Sequence, residues 1–284
     1  MNILTFDIEE WFHVFEEHNN ADVANWLTFE KRLPYMIDVL LDLLSKHETR
    51  ATFFCMGWIV RRYPEIIKKI SSRGYEVGSH SDLHKLAHTQ TQKEYAEDLK
   101  KSIDSIESLI GDKVKSYRAP GFSINSSNLW AFDELIKNGI EYDASVFPLE
   151  RKFGGFKNLP KNEPFILKSD SGYIKEFPMN AHRILNKDVV FSGGGFFRIL
   201  PTLLIKKLIE NNDYVMTYLH PRDFDNKQPF NTLSLSRHLK SRIGTSSATA
   251  KLEFLIDNFK FIDLSEASEL IDWKAKRSIS IESI

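Results

Sequence analysis

Two histidines four residues apart, His80 and His84 in SHSDLH, directly follow the apolar run YEVG. Imidazoles at this spacing could share a divalent cation from one side of a helical turn, although a pair of solvated loop histidines would look the same. The decision depends on what else reaches that point. Near the N-terminus, Asp7-Ile8-Glu9 sets two carboxylates on one side of an extended segment, because strand side chains alternate. A carboxylate with two histidines is a common divalent-metal set that leaves positions open for water and substrate. One acid could then hold the cation while the other stays free as a base. Arg118, before Ala-Pro-Gly, could hold a carboxylate by a bidentate ion pair. His220, which closes YVMTYL and precedes Pro221, could act as a general acid. Asp143 could orient a histidine or an arginine.

The elements that must position these residues follow from hydrophobic spacing. NILTFD reads as a buried strand, and Leu33 to Lys46 as a helix with Leu33, Met36, Ile37, Leu40, Leu41 and Leu44 on one face. The alternation continues with strand ATFFCM, helix PEIIKKISSRG, strand YEVGSH and the long helix QKEYAEDLKKSIDSIESLIG. Strand VKSYRAP, helix NLWAFDELIKNG and strand IEYDASV come next. After an irregular stretch near 147–177, DYVMTYLH and KFIDL read as late strands, with helices over TLLIKKLIENN and around Ala248 to Asn258. Repeated βα units predict a mostly parallel sheet, here a distorted (β/α) barrel of about seven units. In such barrels the active site lies at the C-terminal ends of the strands. Asp7 and Glu9, His80 and His84, Arg118, Asp143 and His220 each follow a different predicted strand at that end. A lone carboxylate after a strand is commonly a turn or capping residue; five occupied strand ends are hard to assign to capping. One domain over 1–273 is expected, with an insertion near 147–177 and a loose tail over 274–284.

Composition narrows the class. In 284 residues, 38 basic groups face 39 acidic ones, for a formal charge of -1, which excludes the basic footprint of a nucleic-acid binder. The single cysteine, Cys55, allows neither an internal disulfide nor a cysteine zinc cage, and its apolar flanks predict a buried thiol. No apolar run approaches the ~18 residues that span a bilayer. MNILTFDIEE lacks a basic and then apolar leader, so a cytoplasmic protein is expected.

Five segments, TFDIE, HSDLH, RAPGF, YDASVFP and YLHP, run from Thr5 to Pro221 in the order found in the polysaccharide deacetylases, a carbohydrate esterase group that the chain resembles. The SGGGFFRILP segment and the Asp-x-Glu form of the first motif resemble a branch tied to bacterial exopolysaccharide or surface-glycan synthesis. The resemblance implies a metal-dependent N-deacetylase that acts on an N-acetylated saccharide. Asp7 matches the catalytic base, His80 and His84 the metal ligands, Arg118 the tether of the base, His220 the general acid, and Asp143 the acid that supports that histidine. The family's usual adjacent aspartates are here interrupted by Ile8, which leaves Glu9 as the third metal ligand. After His220, Pro-Arg-Asp stands where that branch often has an aromatic. Two imidazoles and a carboxylate suit zinc first, with cobalt, nickel or manganese as alternatives. A backbone N–H near Phe122 could help hold the oxyanion, and Trp11, Phe12, Phe122, Phe196 and Phe197 are candidates for stacking on sugar. Two other readings stand beside this one: a metal-independent amide hydrolase of the same fold, and a non-catalytic glycan-binding protein.

Overall fold

Leu33–Lys46 forms the helix that its apolar spacing predicts, with all six stripe residues buried. Its first turn is held from a distance. The Glu10 carboxylate, just past the first strand, accepts from the Arg32 and Leu33 amides at 3.2 and 3.1 Å and so satisfies donors that a helix start leaves unpaired. The long helix Gln92–Ile110 opens on a Thr91–Glu94 capping box and stops at Gly111, whose φ of 82° is left-handed. The computed structural model describes residues 1–13, 23–151, 153–184, 187–229 and 241–284.

The helices cover a mainly parallel sheet. Thr5–Ile8 pairs with Thr52–Cys55, which pairs with Glu76–Ser79. The ladder continues through Ser116–Tyr117 and Tyr142–Asp143 to Gly172–Glu176. On its other side the first strand is flanked by Val215–Met216, and a parallel bridge joins Phe6 to Leu219. This register leaves residues 7, 80, 118, 143 and 220 at one end of the sheet, as the barrel expectation requires.

The distortion has a defined place. Residues 177–179 continue beside 143–146 through the Phe177 and Met179 amides, but no backbone ladder among the described residues joins this stretch to Val215–Met216. The buried Asn180 side chain bridges the gap: its amide nitrogen donates to Tyr214 O at 2.6 Å and its oxygen accepts from Met216 N at 3.1 Å. One side-chain amide thus takes the role of a strand's peptide group.

The stretch near 147–177 is less of an insertion than its composition suggests. Phe156 and Leu159 enter the core, and Phe165–Ser169 and Gly172–Glu176 form an antiparallel hairpin whose second strand belongs to the main sheet. The expected loose tail also needs correction. Ser278–Ser280 adds a parallel strand to Phe165–Ser169, and Ile281 is buried. Three edge residues, none of them buried, followed by one buried isoleucine leave too little periodicity to read from sequence. No helix among the described residues is long and apolar enough to cross a membrane.

If Asn180 carries the seam, Asn180→Ala exposes two buried backbone groups and lowers unfolding free energy by about 2–3 kcal/mol. Urea unfolding measures this, and a change below about 0.5 kcal/mol would show that the seam closes without it.

Candidate metal centre and the groups around it

Glu9, His80 and His84 are buried together, and one donor atom from each lies within 4.8 Å of the others. His80 follows its strand directly and its Nδ1 lies 2.7 Å from Arg118 O. That carbonyl requires the Nδ1 proton, so the Nε2 lone pair is left free for a cation. His84 Nε2 faces Glu9 Oε2 at 3.2 Å, and this buried carboxylate oxygen makes no hydrogen bond. Burial pulls His84 down to about 3 and lowers His80 as well, so both imidazoles are neutral. Burial alone would protonate Glu9, but Arg222, His84 and His220 overcome it and hold the carboxyl well below its usual range. An ionised carboxylate facing a buried neutral imidazole is an arrangement that a divalent cation satisfies. These residues fit such an ion.

The expected helical turn between the histidines is absent. Residues 80–86 form a loop in which Ser81 and His84 are left-handed, with φ of 63° and 55°. The loop is held from outside. Asp98 accepts from the Asp82 and Leu83 amides at 2.7 and 3.2 Å, while the Gly57 and Trp58 amides donate to Ser81 O and Asp82 O at 2.9 and 3.0 Å. The Asp82 side chain pairs with Arg61 at 2.6 Å and Lys101 at 2.9 Å. External hydrogen bonds, not helical periodicity, bring the two rings to 5.1 Å.

Asp7 is set apart from this donor set. Arg118 Nη1 donates to Asp7 Oδ1 at 2.8 Å and to Thr5 Oγ1 at 2.6 Å. Its Nε donates to Ala144 O at 3.2 Å, and its plane lies 4.4 Å from the Phe54 ring. The expected bidentate pair is therefore a single contact, because the remaining nitrogens are used to tie other strands. Asp7 Oδ2 is left facing His220 Nε2 at 3.8 Å.

His220 is positioned by a residue that sequence reasoning missed. Asp223 Oδ2 lies 3.0 Å from His220 Nδ1 and accepts from the His220 amide at 2.9 Å. Burial and Arg222 oppose a proton on His220, but Glu9 and Asp223 outweigh them and raise it to about 9. Glu9 Oε1 is 3.0 Å from His220 Nε2. The signal was present as the i,i+3 spacing in His-Pro-Arg-Asp, a reciprocal cap of the short turn Pro221–Phe224.

Asp143 does not take the place expected of it on His220. Its oxygens accept from Ser145 Oγ at 2.6 Å and Ser145 N at 3.2 Å, and burial raises it beside Glu176, which is raised further by burial and by Asp143 itself. Ser145 Oγ in turn accepts from Ala119 N at 2.8 Å, so Asp143 braces the backbone that carries Arg118. The Phe122 amide donates to Ala119 O at 3.0 Å and is already occupied. Trp11, Phe12 and Phe197 lie in the core and Phe196 is exposed. Tyr218, which was not foreseen, is half-buried with its ring 6.0 Å from His220 and edge-on to Phe122 at 5.1 Å. It fits there because Gly193 has no side chain: a Cβ would lie 2.2 Å from Tyr218. A concavity of about 280 Å³ lies at the opposite strand ends, but its Arg50 and Lys113 are already paired with Asp263 and Glu107.

Removing one imidazole should cost more than the loss of an outer hydrogen bond, which is typically 10–100-fold in metal affinity. His80→Ala and His84→Ala are each expected to weaken zinc binding by about 100-fold or more in chelator competition. Unchanged affinity in either variant would remove that histidine from the donor set.

Residues 18–137 match the family model for polysaccharide deacetylase, and residues 144–269 match one for a domain of unknown function, DUF3473. The first match contains His80, His84 and Arg118 but begins after Asp7 and Glu9. A peptidoglycan-N-acetylglucosamine deacetylase of Bacillus cereus is 28% identical over 129 residues, 45% of this chain and 47% of that protein. The chain thus spans about half the length of the curated relatives it matches. Among solved structures, a candidate polysaccharide deacetylase from Mycobacterium smegmatis superposes with a TM-score of 0.64 at 17% identity, covering 96% of this chain and 90% of that one. A CE4 family pseudoenzyme from Bacillus anthracis superposes at 0.53 and 15% identity, over 98% of this chain and 66% of its own. These two likenesses concern the fold, and the family model and the relatives show a similarity of less than half of the chain to polysaccharide deacetylases.

Proposed function

We propose that this chain is a metal-dependent N-deacetylase that hydrolyses the acetamide of an N-acetylated sugar in a glycan or glycan precursor and releases acetate. One observation carries the proposal. A carboxylate held by an arginine and a histidine held by a carboxylate flank the same three-residue donor set, with Asp7 Oδ2 and His220 Nε2 3.8 Å apart. Glu9, His80 and His84 would hold the ion, zinc first, with cobalt, nickel or manganese also suited to two imidazoles and a carboxylate. When bound, the ion supplies Lewis acidity for an acetyl carbonyl and lowers the pKa of water.

The chain's own groups supply the proton transfers. Asp7, aimed by Arg118, takes a proton from the attacking water. His220, which Asp223 keeps protonated at Nδ1, gives a proton from Nε2 to the departing amine, without which the C–N bond does not break. Tyr218 presents a ring face at the rim for a sugar. The SGGGFFRILP segment, which seats that tyrosine, and the Asp-x-Glu motif support a place in exopolysaccharide or surface-glycan synthesis. Two neutral imidazoles beside an ionised Glu9 favour this over a metal-independent hydrolase, which would have no use for such a donor set.

Acetate release from N-acetylated oligosaccharides, before and after chelation and zinc return, tests the proposal. Activity that survives complete metal removal contradicts it, as does loaded protein that binds sugars but releases no acetate. Asp7→Asn is expected to keep its metal and lose about 10²–10⁴-fold in kcat; an active variant would move the base elsewhere. Asp223→Asn removes an anion that holds the proton on His220. His220 then titrates lower, and the alkaline limb of the pH–rate profile moves to lower pH. An unmoved limb would detach Asp223 from the general acid.

A further inference from the structure

The SGGGFFRILP segment does more than seat Tyr218, because its arginine reaches the carboxylate that holds His220. Arg198 is carried by the short helix Gly194–Ile199, and both ends of that helix are fixed. At its start, Gly194 N donates to Tyr218 O at 3.2 Å and Tyr218 N donates to Ser192 O at 3.3 Å, two residues before His220. At its end, the buried Lys251 ammonium donates to Phe197 O, Arg198 O and Leu200 O at 2.9, 3.0 and 2.6 Å. These are carbonyls that the end of a helix leaves without partners. A lysine is seldom buried unless its charge is met, and here three carbonyls meet it. The backbone that carries Arg198 is therefore anchored independently of the turn it faces.

Arg198 Nε lies 3.1 Å from Asp223 Oδ1, with the two side chains 10% and 5% exposed. The contact is one of charge, without the alignment of a hydrogen bond. Nη1 donates to Ser241 O and to Ile243 O. The other oxygen of the same carboxylate, Asp223 Oδ2, is the one on the His220 ring and amide. The carboxylate is thus divided, one oxygen for the imidazole and one for the guanidinium. The terminal torsion of an aspartate is soft, so a second contact fixes the plane that a single partner would leave free to turn. The same turn has another buried pair for contrast. Arg32 Nε and Nη2 donate to Asp225 Oδ2 and Oδ1, both at 2.8 Å. That pair ties the turn to the start of the helix Leu33–Lys46 rather than to the imidazole.

We propose that Arg198 is a positioning residue for deacetylation: it fixes the Asp223 carboxylate so that His220 presents Nε2 to the departing amine. The proposal rests on the deacetylase reading of the site. It gives the SGGGFFRILP segment a part in breaking the C–N bond, in addition to shaping the rim. Arg198 touches neither substrate nor metal and acts through Asp223 alone.

Turnover of two acetyl donors by zinc-loaded protein tests this: an N-acetylglucosamine oligosaccharide, whose amine must be protonated to leave, and 4-nitrophenyl acetate, whose phenolate leaves without a proton. Arg198→Gln is expected to lower kcat for the acetamide by about 10–100-fold, as a misplaced catalytic group does, with KM, zinc content and ester turnover kept. Arg198→Lys, which retains the charge but not the planar fork, should recover part of the loss. Arg32→Gln, which opens the other pair of the same turn, should change both substrates by one common factor. In an Asp223→Asn background, Arg198→Gln should cost the acetamide nothing further. Equal losses on amide and ester in Arg198→Gln overturn the proposal, as do an unchanged acetamide kcat, lost zinc, or losses from Arg198→Gln and Asp223→Asn that simply multiply. If Arg198→Gln does not fold, Arg198→Lys carries the same comparison. These outcomes remove this inference alone. Wild-type protein that releases no acetate from any acetamide removes the deacetylase reading and this inference with it.

Discussion

A fully buried guanidinium is the constraint around which this site is arranged. Arg118 has no exposed surface, and a lone charge there would be prohibitive. Its nitrogens are therefore distributed over Asp7, Thr5 Oγ1, Ala144 O and, at 3.5 Å, Thr217 O. These partners come from the first strand, from the turn after Tyr142–Asp143, and from the chain beside Leu219. Thr5 completes the circuit by donating to Thr217 O. One side chain thus fastens three strand ends. Leaving either member of such a buried pair alone would cost about 3–5 kcal/mol. The same bonds that stabilise the sheet hold the Asp7 carboxylate where it faces His220.

The surrounding electrostatics divide the acids by role. Asp7 is paired with an arginine, and its charge also bears on His80. Glu9 stays ionised between two neutral imidazoles, one protonated imidazole and a second arginine. Asp143 and Glu176, both raised by burial, serve the backbone under Arg118 instead. Ionisable groups close in sequence or in space therefore meet different fates, set by what each faces.

Much of this was legible in the sequence, and the rest was not for identifiable reasons. The helix Leu33–Lys46 was readable because its apolar stripe repeats along 14 residues. Asp7, Glu9, His80, His84, Arg118 and His220 were readable because strand ends in a parallel sheet converge on one side, whatever the loops do. The His80–His84 loop was misread as a helical turn, since its shape is imposed by Asp98, Gly57 and Trp58, all distant in sequence. Asp223 was passed over because Pro-Arg-Asp looks like a turn, and a turn is what it is; only the fold shows its carboxylate on the imidazole. Asp143 was given to the wrong partner for the converse reason.

The assignment of Glu9 rather than Asp7 to the metal is the centre of the account, because it leaves Asp7 free as the base. Anomalous diffraction at the zinc edge, from crystals of zinc-loaded protein, tests it directly. The account predicts one ion with Glu9 oxygen and the nitrogens of His80 and His84 at about 2.0–2.2 Å, and with Asp7 still paired to Arg118 outside the coordination shell. An ion bound by Asp7, with Glu9 turned to Arg222 alone, would contradict it.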